Sequence, residues 1–474
     1  MQIRSSNSLT KGFHLGLQPA LAWIVILALV LFSALCILVH ADRILRLAFP
    51  GGCFAVGVFL YWRYPVLYLG FTWWVWFLTP WVRRLVDYRS GWQDPSLILL
   101  APFLVTLVTL ATFLRHLPKS YHQGGLPFVL AFTSVFYSLL VGLIKTSPTA
   151  VVVPLLNWLT PILFGFHLFV SWRDYPKLSQ NIQRTFLWCV LLTGAYGVVQ
   201  YLVAPQWDRF WLTQMISGGA LAFGIPEPLG IRVFSTMNSP GPFAVVIMAG
   251  LLLLFNSQSV LRFPASGIGY LAFLLSQIRS AWLGWLLGFI TLITSLKARF
   301  QMRLIISILV MGVCVLPLTT MAPFSDVINS RIQTFFNSKD DVSYHERSAT
   351  YNRSLGIALS QGLGVGLGTI PRNSKLVLDS GILEMFFTMG WFGTLPYVSG
   401  IVLIVFNLLQ SSEGRFDPFV SAARAISTCT LVQIGFSNVL IGLSGMVFWG
   451  FLGIGMAAHK YYQHQRNAPS LRQM

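Results

Sequence analysis

The sequence predicts an all-α, polytopic helical bundle in a membrane, and three observations predict it. Of 474 residues, 55% are hydrophobic and only 10% are charged, whereas a soluble domain carries about 25% charged residues. Apolar runs of bilayer-spanning length, about 20 residues, recur along the chain. No series of alternating ten-residue segments suggests a barrel. Helices follow because lipid offers the backbone no hydrogen-bond partner, so each segment must bond within itself.

Spans are expected at 20–39, 48–61, 65–81, 96–114, 126–144, 149–170, 185–204, 240–256, 263–278, 280–296, 304–321, 380–409, 419–440 and 443–459, a bundle of about 12–14. The first is retained, because no small-residue cleavage site follows it closely. The stretch 48–81 is either two short spans or one span and a re-entrant piece, with Trp73, Trp74, Trp76 and Trp81 clustered as an interfacial belt. The run 263–296 is too long for one span and just long enough for two short ones. Residues 1–204 read as a transmembrane scaffold with a lipid-facing groove, since few polar residues lie inside their spans. Residues 205–410 form the core, including a long loop at 322–378, and 411–474 form a final pair of spans and a tail.

Basic residues set the orientation. Lys297, Arg299 and Arg303 fill one short loop, Arg173, Lys177 and Arg184 another, Arg115 and Lys119 a third, and Lys460, Arg466 and Arg472 the tail. The positive-inside rule places these loops and both termini in the cytoplasm, with 205–239 and 322–378 outside. Arg83, Arg84 and Arg89 would then face out. Either the span count before residue 96 is off by one, or these arginines serve an external anionic ligand. The net charge of +18 is spread over many loops, which suits anionic lipid headgroups. No dense basic block or recognition motif points to nucleic acid. Cys36, Cys53, Cys189, Cys314 and Cys429 all lie in apolar runs and read as packing residues, neither a disulfide framework nor a metal site.

The chemistry is expected where charge interrupts apolar sequence. The polar stretch 321–378 carries Arg331, Lys339, Arg347, Arg353, Arg372 and Lys375, and a loop of this length is usually functional or disordered. Tyr344, Tyr351, Leu355, Ile357 and Leu359 give it apolar anchors. On a helix, Arg347, Thr350, Tyr351 and Ser354 share a face, next to His345 and Glu346; the plainer alternative is a solvated amphipathic helix lying on the bilayer. Arg232 stands where an external loop ends and a span begins, as an anion ligand or as an arginine snorkelling to headgroups. Arg279 is the single charge in 263–296 and falls at the tip of the expected hairpin, where an intramembrane charge marks a functional site. Asp379 can cap the helix after it. Glu384 lies deeper and is expected to have a basic partner, because burying an unpaired carboxylate is costly. The alternating glycines 362, 364, 366 and 368 lack the strand–turn–helix context of a dinucleotide site and read as a flexible or close-packed turn. Asp340 and Asp341 alone make no metal site.

From Arg232 to Gly393, roughly a third of the chain, the sequence resembles the O-antigen ligase and O-antigen polymerase superfamily of integral membrane glycosyltransferases. The pieces are RVFSTMNSPGPFA, SQIRSAWLG, an R-x-x-x-Y helix at Arg347, GLGVGLG and DSGILEMFFTMGWFG, in that order. The resemblance implies a GT-C-like bundle in a bacterial inner membrane with an external active site. It implies transfer of a glycan from a polyprenyl-pyrophosphate carrier, without nucleotide sugar, metal or cofactor. Implied partners are that lipid-linked glycan, membrane lipids, and proteins of polysaccharide export or chain-length control. The implied catalytic set is Asp379, Glu384 and Arg279, with Arg232, Arg347, His345, Tyr351 and Arg331 binding substrate. Ligases carry a histidine followed by Asn at the re-entry, where this chain reads Leu378-Asp379-Ser380, and that departure favours a polymerase. The same superfamily includes proteins described as bicarbonate transport factors, so an anion transporter is the second expectation; transfer of glycan to protein is a third.

The orientation is directly measurable. Reporter fusions at residue 300 and at the C-terminus are expected to read as cytoplasmic, and one at residue 340 as external, because Lys297, Arg299 and Arg303 lie between two spans. A cytoplasmic signal at residue 340 overturns the external site.

Overall fold

A computed structural model describes residues 19–120, 124–219, 223–296, 354–369 and 380–467, with 301–302, 305–306, 324–325, 328 and 351. Every regular element among them is helical, and the one β contact is an isolated bridge between Gly224 and Ile231. The helices are α1 (Ala20–Leu38), α2 (Asp42–Arg63), α3 (Pro65–Ser90), α4 (Ala101–Leu107), α5 (Leu110–Ser120), α6 (Leu126–Lys145), α7 (Pro148–Val170), α8 (Tyr175–Val203), α9 (Gln206–Ser217), α10 (Pro240–Leu254), α11 (Arg262–Leu275) and α12 (Arg279–Ser295). After the polar stretch come α13 (Gly381–Gln410), α14 (Pro418–Gln433) and α15 (Gly442–Asn467).

Among the described residues, eight segments are long and apolar enough to cross a bilayer: α1, α2, the segment Leu97–Pro118 through α4 and α5, α6, α7, α8 with its preceding turn, α13 and α15. The chain is a multi-pass, all-α membrane protein. The stretch 48–81 belongs to two full helices, α2 and α3. At 26 residues, α3 is about 39 Å long, and Arg83, Arg84 and Arg89 all fall in its last two turns or so, about 27 Å or more from its first residue. The run 263–296 forms two short helices, α11 and α12, with Arg279 as the first residue of the second, as the isolated charge predicts. The span expected at 304–321 and most of the loop 322–378 lie outside the described residues.

Local sequence explains the helix starts. Proline opens α3, α6, α7, α8, α10 and α14, where its missing N–H is not needed and its fixed φ suits the first turn. Small residues set the packing. A Cβ on Gly165 of α7 or Gly453 of α15 would meet the backbone of the other helix, so these two helices touch along their main chains. Residues 442–458 of α15 are buried throughout, which makes it the central helix, while α1 leaves most of its side chains exposed to the surroundings. Cys36, Cys53, Cys189 and Cys429 are buried free thiols among apolar neighbours.

One end of the bundle is closed by charge. Buried Glu413, in the turn between α13 and α14, meets Arg466 at 2.5 Å, His459 Nδ1 at 3.4 Å and Arg424 at 3.9 Å. Burial alone would raise its carboxyl, but hydrogen bonds from its own backbone and Ser411, with His459 beside it, bring it below the usual carboxylate range. This latch therefore holds above that range and loosens only as pH falls through it. Asp417 accepts from Tyr175 at 2.6 Å and Tyr462 at 2.8 Å, tying the same turn to α8 and α15. The opposite ends of α8, α13, α14 and α15 surround the candidate site.

Candidate functional site

The chain between α9 and α10 is the first component. Residues 232–239 form no helix, so their backbone groups need outside partners. Gln200 of α8 supplies one: its Oε1 accepts the amides of Phe234 at 3.1 Å and Ser235 at 2.8 Å. Arg84 of α3 supplies the complement, donating to the carbonyl of Ser235 and, at 3.3 Å, to that of Met237. Its Nε faces Asp208 of α9 at 3.1 Å, and the two side chains are 1% and 0% exposed. Asp208 also accepts from Tyr196 at 2.7 Å and Gln200 at 2.9 Å. Ser235, in the left-handed region at φ 52°, donates its hydroxyl to the Thr193 carbonyl at 2.5 Å.

The arginines expected to face out, Arg83, Arg84 and Arg89, all have partners inside the protein. Arg83 pairs with Asp87 at 3.0 Å, Arg84 is enclosed as described, and Arg89 donates to the Ile37 carbonyl. All three serve the protein's own acceptors.

The loop then reaches the α11–α12 hairpin. The Val233 amide donates to the carbonyl of Leu275, the last residue of α11, at 3.1 Å. Gln277 turns the chain at φ 58°, and Arg279 opens α12. Arg232 and Arg279 are both half-buried, and they stand on segments joined by this one bond. The starts of α10 and α12 face the same end, with their amide dipoles directed there.

The end of α14 brings in the carboxylate. Gln433 fills the space beside Gly284 of α12, where a Cβ would lie 2.6 Å from its Nε2. The next carbonyl, of Ile434, accepts from the Gly381 amide at 2.9 Å, and Asn438 donates to Glu384. Residues 433–438 thus bridge the starts of α12 and α13. Glu384 is buried, 8% exposed, with the Trp158 indole beside it. The sequence reading expected a basic partner for it; among the described residues its hydrogen-bond partner is the Asn438 amide. A neutral N–H donor meets the carboxyl without a second buried charge.

Helix α13 is not continuous. Gly390, at φ 58° and ψ −166°, breaks it into 381–389 and 391–410. In a straight helix residues 384 and 397 would lie about 20 Å apart, yet the Trp158 indole reaches Glu384 and packs its ring 5.6 Å from that of Tyr397. The break folds the first half back toward α7. It frees the carbonyls of Phe387 and Thr388, which accept from Val365 at 2.7 Å and Gly366 at 3.0 Å. Trp391 donates to Gly362 at 2.8 Å, Leu367 to Ser138 at 3.0 Å, and the Lys145 ammonium to Gly364 at 2.8 Å. The alternating glycines therefore form a close-packed strap. Gly364, Gly366 and Gly368 all have positive φ and press on the backbones of Gly390, Gly142 and Ala150.

Of the predicted site residues, Arg232, Arg279 and Glu384 lie at one end of the bundle. Asp379, Arg331, His345 and Arg347 fall outside the described residues. Tyr351 is helical and half-buried. In the adjoining turn at 354–360 the buried residues are Ser354 and Ala358, while the expected anchors Ile357 and Leu359 are exposed, so small residues seat this turn. Sequence reasoning named Arg84 only as a ligand for an outside anion, and it missed Gln200, Asp208 and Asn438. Gln200 carried the one available signal, a polar side chain near the end of an apolar run. No protein-family model matches the chain, and no curated protein matches it.

The strap yields a test. In Gly366→Ala a Cβ would lie 2.7 Å from Gly142 Cα at φ +87°, whereas Gly356 has open space and no positive φ. Gly366→Ala is expected to lower thermal stability in detergent by about 2 kcal/mol or more, and Gly356→Ala to leave it unchanged or slightly raised. Equal melting of the two variants would contradict the packed strap.

Proposed function

We propose that the protein is a membrane glycosyltransferase that lengthens a polyprenyl-pyrophosphate-linked glycan at the outer face of a bacterial inner membrane, as a polymerase rather than a ligase. The observation that carries this reading is the joining of the Arg232 loop to the Arg279 hairpin at an end where α10 and α12 both begin. Guanidinium forks match phosphate oxygens, and helix N-termini favour anions. Two such arginines suit a pyrophosphate and would stabilise the charge that develops on it as it leaves. Glu384, on the half-helix tied to α12 through Gln433–Asn438, supplies the carboxylate; Asp379, just before the capping Ser380, is the second candidate.

In the reaction an acceptor hydroxyl attacks the anomeric carbon. The bond from that carbon to the pyrophosphate oxygen breaks, and the hydroxyl proton passes to a carboxylate. The products are a lengthened lipid-linked glycan and free polyprenyl pyrophosphate. The residues Leu378-Asp379-Ser380, in place of a ligase-type histidine and Asn, support chain extension. The second reading is a small-anion, bicarbonate-type transporter, favoured by the discontinuous α13, since transporters build midplane sites from broken helices.

Arg279→Ala is expected to abolish elongation while the protein still accumulates in the membrane, and Arg279→Lys to recover little, because a point charge does not replace a bidentate fork. Glu384→Gln or Asp379→Asn is expected to slow polymerisation about a hundredfold with donor binding kept. Normal chain length in both Arg279 variants would remove the pyrophosphate role.

A further inference from the structure

We propose that Arg84, Asp208 and Gln200 are positioning residues that set Arg232 and Arg279 for a pyrophosphate; the ligand rests on the function proposed above, the positioning on geometry alone. Arg84 is too enclosed to touch a substrate, at 1% exposure, with its guanidinium 4.8 Å from the Phe234 ring centroid. Its two terminal nitrogens donate to Met237 and Ser235, while its Nε stands 3.1 Å from Asp208 as an ion pair. Gln200 accepts the amides of 234 and 235, and it also donates to Asp208. Arg84 and Gln200 thus satisfy four backbone groups of one short loop, and Asp208 ties the two together.

A purely stabilising role explains this poorly. Replacing a buried ion pair by apolar residues is often neutral or stabilising, so the pair is weak evidence for stability. What distinguishes this one is where it ends. Immediately before the clamped residues, the Arg232 amide bonds to Phe223 at 2.9 Å and the Val233 amide to Leu275 at 3.1 Å. A shift of 234–237 therefore moves Arg232 directly and the turn leading to Arg279 through Leu275. Arg84 uses Nε and both terminal nitrogens, a pattern an ammonium cannot reproduce. Asp208 fixes the fork and Gln200 fixes Asp208.

The test compares the full-length wild type in nanodiscs with Arg84→Met, Arg84→Lys and Asp208→Asn. Two readouts are used: hydrogen exchange of peptides covering 231–239 and 275–279, and affinity for farnesyl pyrophosphate. All three variants are expected to speed exchange in both peptides while α15 stays protected. They are expected to weaken farnesyl pyrophosphate binding about tenfold or more. In the double variant Arg232→Ala/Arg279→Ala, adding Arg84→Met should cost little further, since Arg84 acts through those two guanidiniums. Unchanged exchange in the two peptides overturns the positioning role, even where the wild type binds the ligand. So do additive losses when Arg84→Met is added to the double variant, or full rescue by Arg84→Lys. A wild type without affinity for farnesyl pyrophosphate overturns the pyrophosphate part together with the functional reading, whatever the exchange shows. If Arg84→Met fails to fold, Asp208→Asn, which keeps shape and loses charge, carries the same comparisons.

Discussion

A backbone amide or carbonyl without a partner costs several kcal/mol inside a bilayer, and the architecture of this protein follows from that constraint. Helices meet it along the spans, and two irregular segments beside the candidate site meet it in other ways. At 232–239 the chain leaves helical geometry, and Arg84 and Gln200 supply the missing donors and acceptor. At Gly390 a helix breaks, and the amides of Val365 and Gly366 close on its freed carbonyls. Both irregular segments sit at the same end of the bundle, and each finds its backbone partners within the protein. The cost of irregular backbone is thus offset by neighbours, and the side chains it displays, Arg232 and Glu384, are held where a regular helix would not place them.

The charges divide by what they meet. Arg83, Arg84 and Arg89 are taken up by carboxylates and carbonyls of the protein. Glu413 gathers Arg424, His459 and Arg466 at the far end, where they latch the last helices together. Glu384 differs from both groups, with a neutral amide as its hydrogen-bond partner among the described residues. A carboxyl held that way has its orientation fixed without joining a cluster of charges like that around Glu413.

Much of this was legible in the sequence. Hydropathy marked the helices because lipid imposes one pattern on every span, and the lone Arg279 in 263–296 located the hairpin tip. The glycine alternation left a flexible or a close-packed turn open, and the strap is close-packed. The partners were not legible. Arg84 and Asp208 lie far apart in sequence, and their pairing depends on α9 folding back against the end of α3, which no local periodicity encodes. Glu384 implied some partner, but an amide satisfies a carboxyl as well as a cation does, so the expectation of an arginine followed from charge alone. The break in α13 was hidden because Gly390 sits in an unbroken apolar run, and its geometry becomes affordable only once 362–366 supply hydrogen bonds.

The central claim is that this end of the bundle moves a glycan off a pyrophosphate. It is tested most directly with the purified protein in nanodiscs, given a polyprenyl-pyrophosphate-linked repeat unit and no nucleotide sugar. The account predicts a ladder of longer lipid-linked glycans, with one polyprenyl pyrophosphate released for each unit added. Intact substrate, alongside protein-dependent bicarbonate flux in proteoliposomes, would contradict it.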